Sequence, residues 1–119
     1  ADRTNENLAT LYSASDPAVL KLVEEVIKAA RNQKIDLSIC GEMSGDPIYT
    51  PLLFGIGLRQ LSVTPHKIPE IKRVVRSLTQ AEAHKIVGRV RRLDNSRDIT
   101  SLLRERYRKA SPEHAHDLE

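Results

Sequence analysis

Between residues 35 and 63 the chain carries two short apolar segments, Ile35 to Cys40 ("IDLSIC") and Gln60 to Val63 ("QLSV"). A turn, "GEMSGDP", and a short apolar helix lie between them. Thr50 and Pro51 open that helix, it runs through Leu52, Leu53 and Phe54, and Gly55 with Gly57 stop it. This order constrains the fold more than any other feature. A strand joined to the next through a helix returns parallel to the first. Parallel strands sit in sheets covered on both faces, and the first of these is buried on both sides if Leu37, Ile39 and Cys40 are all inside. The expectation is an α/β unit that belongs to a larger sheet.

The rest of the chain reads as helix. Asp16 can cap, Pro17 suits a first helical position, and Val19, Leu22, Val23, Val26, Ile27 and Ala30 recur on one face, which predicts an amphipathic helix over 17–32. Downstream, Pro69 starts a turn carrying Ile71, Val74, Val75 and Leu78. "TQAE" at 79–82 is a capping box opening a helix with Ala83, Ile86, Val87, Val90 and Leu93 inward. "NSRD" caps a third helix, whose stripe of Ile99, Leu102, Leu103 and Tyr107 runs among Arg104, Glu105, Arg106, Arg108 and Lys109. From Ala110 onward "ASPEHAHDLE" has no periodicity and is expected to be disordered.

At 119 residues the chain suits one domain. Three tyrosines, one phenylalanine and no tryptophan leave the core to aliphatic side chains. A net charge of +3 is too small an excess to demand a polyanionic partner. Arg89, Arg91, Arg92, Arg104, Arg106, Arg108 and Lys109 offer an alternative reading as a basic helical module for nucleic acid or an acidic protein. Interleaved Asp94, Asp98 and Glu105, with no aromatic platform, argue instead for a solvated face. One cysteine allows no internal disulfide and fits a cytoplasmic setting. No apolar run approaches the roughly 18 residues that span a bilayer, and "ADRTNEN" has no signal-peptide core.

Cys40 is the candidate for chemistry. It ends a strand and faces the following loop, where α/β enzymes keep reactive groups, and Gly41 beside it lets a ligand approach. The competing reading is a structural cysteine packed as a small hydrophobe. Glu42 and Asp46 read as loop solvation or helix capping. His66 belongs to a loop after the second strand, His84 to a helix surface, and the pair His114 and His116 is too sparse for a metal site, so no metal ligand is named.

"CGEMSGDP", preceded by "IDLSI" and followed by "TPLLFGIGLRQLSV" and "IPEIKRVVRSLT", resembles the carboxyl-terminal portion of the enzyme I family, the phosphoenolpyruvate-protein phosphotransferases of the bacterial sugar phosphotransferase system. "ADRTNENLATLY" is similar to that family's stretch around "AVDRGN", and the resemblance runs from Asp2 to about Ala83. It implies an α/β fold, the last two strands and flanking helices of a (β/α)8 TIM barrel, predominantly helical. Residues 1–110 would form a partial PEP-binding barrel domain and 111–119 a disordered tail.

By the same resemblance Cys40 is the acid that protonates the methylene carbon of the enolate after phosphoryl transfer. A thiol, with a reference pKa near ~8.5, suits that task. Arg3 would contact the substrate phosphate. Thr4 stands where the family has glycine, and Pro65 where it usually has no proline. The Mg2+ carboxylates and the phosphorylated histidine of the family lie upstream of Arg3, so the resemblance implies a fragment inactive by itself. It also implies phosphoenolpyruvate as substrate, a histidine-containing phosphocarrier protein engaged through domains this chain lacks, and a homo-oligomer. Pyruvate phosphate dikinase and phosphoenolpyruvate synthase have related barrels, but "IPEIKRVVRSL" is closer to enzyme I.

Overall fold

The computed structural model describes residues 13–110, so Arg3 and the expected tail 111–119 lie outside the described residues. In chain order the described helices are α1 (Pro17–Gln33), α2 (Glu42–Gly45), α3 (Thr50–Gly55), α4 (Ile68–Arg76), α5 (Gln80–Val90) and α6 (Ser96–Ala110), with a 3-10 turn at Pro65–Lys67 leading into α4.

Local chemistry sets most of these boundaries. Asp16 Oδ1 accepts the Ala18 N–H at 2.8 Å and Pro17 takes the first turn of α1. Lys34, in the left-handed region at φ 55°, closes its far end by donating its N–H to the carbonyls of Ala30 and Arg31. The capping box at α5 is present in both directions: Thr79 Oγ1 accepts the Glu82 N–H at 3.2 Å, and Glu82 Oε2 accepts the Thr79 N–H at 2.9 Å. The Thr79 N–H and the Thr79 hydroxyl, which also donates to Glu82 Oε2 at 2.9 Å, hold the Glu82 carboxyl below its ordinary value. At α6, Asn95 Oδ1 accepts the Asp98 N–H at 2.9 Å. Pro65 fits without strain because it opens the 3-10 turn, where no N–H is required of it.

The core is aliphatic and lies where α3 meets the last two helices. Leu52 and Leu53 are buried in one cluster with Ile86, Val87 and Val90 of α5 and Ile99, Leu103 and Tyr107 of α6. The inward residues expected for α5 are all buried except Leu93, which is half-buried. Behind this core, Thr100 Oγ1 donates to Ser15 Oγ at 2.8 Å, and Ser15 Oγ is 2.6 Å from Tyr49 Oη. This chain of hydroxyls fastens the lead into α1 to the segments of α3 and α6. Tyr49→Phe is expected to cost about 1–2 kcal/mol, because Ser15 is fully buried and loses a partner it cannot replace with water. Denaturant unfolding checks this, and an unchanged midpoint would contradict it.

Two expectations need correction. The strands Ile35 to Cys40 and Gln60 to Val63 shrink to one isolated parallel bridge, Ile39 with Leu61. The Ile39 N–H donates to Gln60 O at 3.2 Å and the Ser62 N–H to Ile39 O at 2.8 Å. The direction is the one the intervening helix requires, but a single parallel pair gains too little to hold a longer ladder when no other strand among the described residues pairs with it. Cys40 is accordingly exposed instead of inside, while Leu37 and Ile39 are half-buried against α1.

The second correction concerns α1. Its apolar residues fall on two arcs: Leu20 and Ile27 are buried, whereas Val19, Leu22 and Val26 are 39%, 62% and 53% exposed. With Ile35 at 64%, they leave an apolar flank facing outward. The described part is thus predominantly helical, and none of its helices is long and apolar enough to cross a membrane.

Candidate active site

Gly41 follows the bridge with φ 87° and ψ −162°, a backbone conformation open essentially to glycine alone. It turns the chain away from Leu61 into α2, the short helix that sequence reasoning read as part of a turn. Asp46 closes the segment: its Oδ1 accepts the Ile48 N–H at 3.1 Å, a turn within the loop, while α3 has no side-chain cap. On the other side, the chain after Leu61 passes through Ser62 and Thr64 into the 3-10 turn.

These two stretches form the walls of a cleft of about 1130 Å³ at the carboxyl end of both bridged segments. Cys40, Gly41, Glu42 and Asp46 line one wall, and Ser62, Thr64, Pro65 and Lys67 the other. Glu70 of α4 and Tyr107 of α6 close the back. Cys40 therefore lines the cleft beside the loops, exposed. Its exposure removes the packing argument for a structural cysteine.

Three groups of the cleft lining, two at its back and one on a wall, were not singled out from sequence. Tyr107, read only as part of an apolar stripe, donates its hydroxyl to Glu70 Oε1 at 2.6 Å, and Lys67 Nζ lies 3.6 Å from Glu70 Oε2. Burial pushes the Tyr107 phenol up to about 12, with the bond and charge of Glu70 adding to the effect. The folded-state value lies above that of an unfolded tyrosine near ~10, so the stabilisation this phenol gives is complete below that pH and lost as pH climbs through the folded value. Burial likewise raises the Asp46 carboxyl, against the opposing pull of the Ile48 N–H, Lys67 and Arg104.

Among the described residues the lining carries three carboxylates, Glu42, Asp46 and Glu70, against one cation, Lys67. This lining supplies an exposed thiol and polar anchoring, but little positive charge for a phosphate. Among the described residues, no three His, Cys, Asp or Glu side chains converge on a position that would hold a metal ion.

The remaining candidates fall elsewhere. His66 is exposed on the 3-10 turn and does not line the cleft, and His84 is exposed on α5. His114, His116 and Arg3 lie outside the described residues. Of the basic side chains, Arg91 donates through Nε and Nη2 to Glu24 at 3.2 and 3.1 Å, and Lys109 pairs with Glu105 at 2.6 Å.

Residues 1–80 match the family model described as PEP-utilising enzyme, PEP-binding domain. The chain is also similar to curated proteins named phosphoenolpyruvate-protein phosphotransferase. It is 35% identical over 105 residues to that of Staphylococcus carnosus, covering 88% of this chain and 18% of the relative. It is 35% identical over 107 residues to that of Geobacillus stearothermophilus, with 90% and 18% covered, and 31% identical over 108 residues to that of Bacillus subtilis, with 91% and 19% covered. The chain thus spans less than a fifth of the length of these relatives, and the likeness extends beyond the motifs between Asp2 and Ala83 into the later helices.

Proposed function

Since the chain belongs to the PEP-utilising enzymes through their PEP-binding domain, we propose that it forms part of the substrate site of a phosphoenolpyruvate-protein phosphotransferase. Such an enzyme moves the phosphoryl group of phosphoenolpyruvate to a histidine and releases pyruvate. The observation that carries this reading is Cys40, an exposed thiol at the edge of a cleft large enough for a three-carbon phosphoester, at the carboxyl end of two parallel segments. The shared name of the relatives supports the same reaction.

When the bond from phosphorus to the enol oxygen breaks, the enolate of pyruvate holds its charge over oxygen and the methylene carbon. Cys40 gives its Sγ proton to that carbon, pyruvate results, and the thiolate recovers a proton from water, to which its exposure gives access. Arg3 is assigned to the phosphate, as a planar donor fork on a dianion. Magnesium, in this family, neutralises charge on the transferring group. The described residues do not fit its ligand set, so no ligand is assigned and no step runs through it.

The finer architecture assigned is the last two strands and flanking helices of a (β/α)8 barrel. Its support is the parallel sense of the Ile39 and Leu61 bridge, the helix that follows each segment, and a cleft at their carboxyl ends. A cytoplasmic setting and a histidine-containing phosphocarrier protein as partner belong to the same proposal.

Two expected results follow. Residues 1–119 alone, given phosphoenolpyruvate, Mg2+ and the phosphocarrier protein, release no pyruvate above the buffer blank in a coupled lactate dehydrogenase assay. The described cleft opposes three carboxylates to one lysine and holds no acceptor histidine, whereas phosphoryl transfer depends on positioning and charge stabilisation. Release above the blank would overturn this. The chain is also expected to self-associate, since Val19, Leu22, Val26 and Ile35 present an apolar flank beside an unpaired edge. Light scattering over a dilution series checks it, and the mass of a single chain throughout would refute it.

A further inference from the structure

Cys40 lies between two anchors on one and the same stretch of the opposite wall. On its amino side, Ile39 spends both backbone groups on residues 60 and 62, accepting from the Ser62 N–H and donating to Gln60 O. On its carboxyl side, the Gly41 carbonyl faces Ser44, whose Oγ lies 2.8 Å from Gly41 O and 2.7 Å from Ser62 O. Ser44 is fully buried. A hydroxyl has one proton, so it is shared between or alternates among the two carbonyls, and both acceptors are held within reach of the same oxygen. The bridge fixes the chain before the thiol, and the serine fixes it after.

We infer that Ser44 is a positioning residue for Cys40: its buried hydroxyl, bonded to the carbonyls of Gly41 and Ser62, clamps the turn carrying the thiol to the opposite wall of the cleft. The consequence for turnover rests on the reading of Cys40 as proton donor; the clamp itself does not. Ser44 makes no contact with the reacting atoms in this account. Its task is to keep the Gly41 peptide in its glycine-only conformation, so that the thiol holds one place relative to the second wall.

The test uses the 119-residue chain labelled at Cys40, its single cysteine, with bromotrifluoroacetone and observed by fluorine NMR. The unaltered chain is expected to give one narrow line. Ser44→Ala removes only an oxygen from a packed site, and is expected to split the line or broaden it by at least about twofold, as the turn samples more than one arrangement. Ser44→Thr, which keeps the hydroxyl, restores a single line. Thr50→Val serves as control: it deletes another buried hydroxyl, one without a partner and away from the cleft, and leaves the line unchanged. A narrow line in folded Ser44→Ala, or one equally disturbed in Thr50→Val, overturns the inference. If Ser44→Ala does not fold by circular dichroism, Ser44→Thr decides: a single line supports the clamp and a split line overturns it. No arm reads phosphoryl transfer, so the result stands apart from the success or failure of the proposed reaction.

Discussion

Cys40→Ala, tested with residues 1–119 exchanged for the matching segment of the Staphylococcus carnosus phosphotransferase, is expected to slow pyruvate formation by ~10²–10⁴-fold, the usual worth of a positioned general acid. Binding of phosphoenolpyruvate should change far less. The thiol acts on carbon after the bond to phosphorus has broken, and the phosphate is assigned to Arg3. Cys40→Ser should be nearly as impaired, because a serine hydroxyl is a much weaker acid although it fits the same exposed position. A coupled assay for pyruvate, set beside phosphoenolpyruvate binding measured calorimetrically, separates the two effects. Unchanged turnover in either variant would leave Cys40 a bystander at the cleft edge and remove the observation on which the functional reading stands.

Gly55→Ala is expected to be among the most destabilising single changes in the described part. A Cβ built on Gly55 would lie 2.5 Å from the Ala83 carbonyl oxygen, 2.9 Å from its carbon and 2.7 Å from Val87 Cγ2. Two of those neighbours are backbone of α5 and cannot rotate away. α3 must then move off α5 or strain, at about 1–3 kcal/mol, which for a domain of this size lowers the melting temperature by several degrees at least. Gly88→Ala is the matched opposite. It sits within α5, a Cβ there meets nothing within 4 Å, and replacing a helical glycine by alanine is expected to stabilise by up to about 1 kcal/mol. Thermal melts of the two variants should shift in opposite directions. A Gly55→Ala protein as stable as the unaltered chain would mean that α3 and α5 pack less closely than described.

The helices were legible because their signals are local. Asp16 with Pro17, Thr79 with Glu82, and the spacing of Ile99, Leu103 and Tyr107 each act within one or two turns, and no distant contact reverses them. The two strands were less so: "IDLSIC" and "QLSV" state a direction of pairing, but ladder length depends on neighbours that neither segment encodes. The α1 stripe misled for a related reason: Val19, Leu22 and Val26 share a face with Ile27 in the sequence pattern, but only the side with Ile27 and Leu20, which the pattern did not include, has a partner here. At the cleft, the position of Cys40 before Gly41 is written in sequence, but on that position alone a structural cysteine is the competing reading, and only the family resemblance favours a chemical role. Ser44 and Tyr107 could not be found from sequence. One sits in a stretch that reads as a turn and the other in an apolar stripe, and their roles come from bonds to Ser62 and Glu70, residues far along the chain.

The contrast between local caps and sparse cross-links sets the order in which the molecule comes apart. Each helix is closed by bonds among near neighbours and shielded by the core of Leu52, Leu53, Ile99 and Leu103, whereas the two cleft walls meet through the backbone bonds at Ile39 and the shared hydroxyl of Ser44. Parting the walls gives up these bonds and the packing of Ile39 and Leu61 at the margin of the core; melting the helices gives up the core itself. The loops beside Cys40 therefore exchange and breathe at a far lower free energy than the interior, and a ligand can enter by local opening while the hydrophobic centre stays shut.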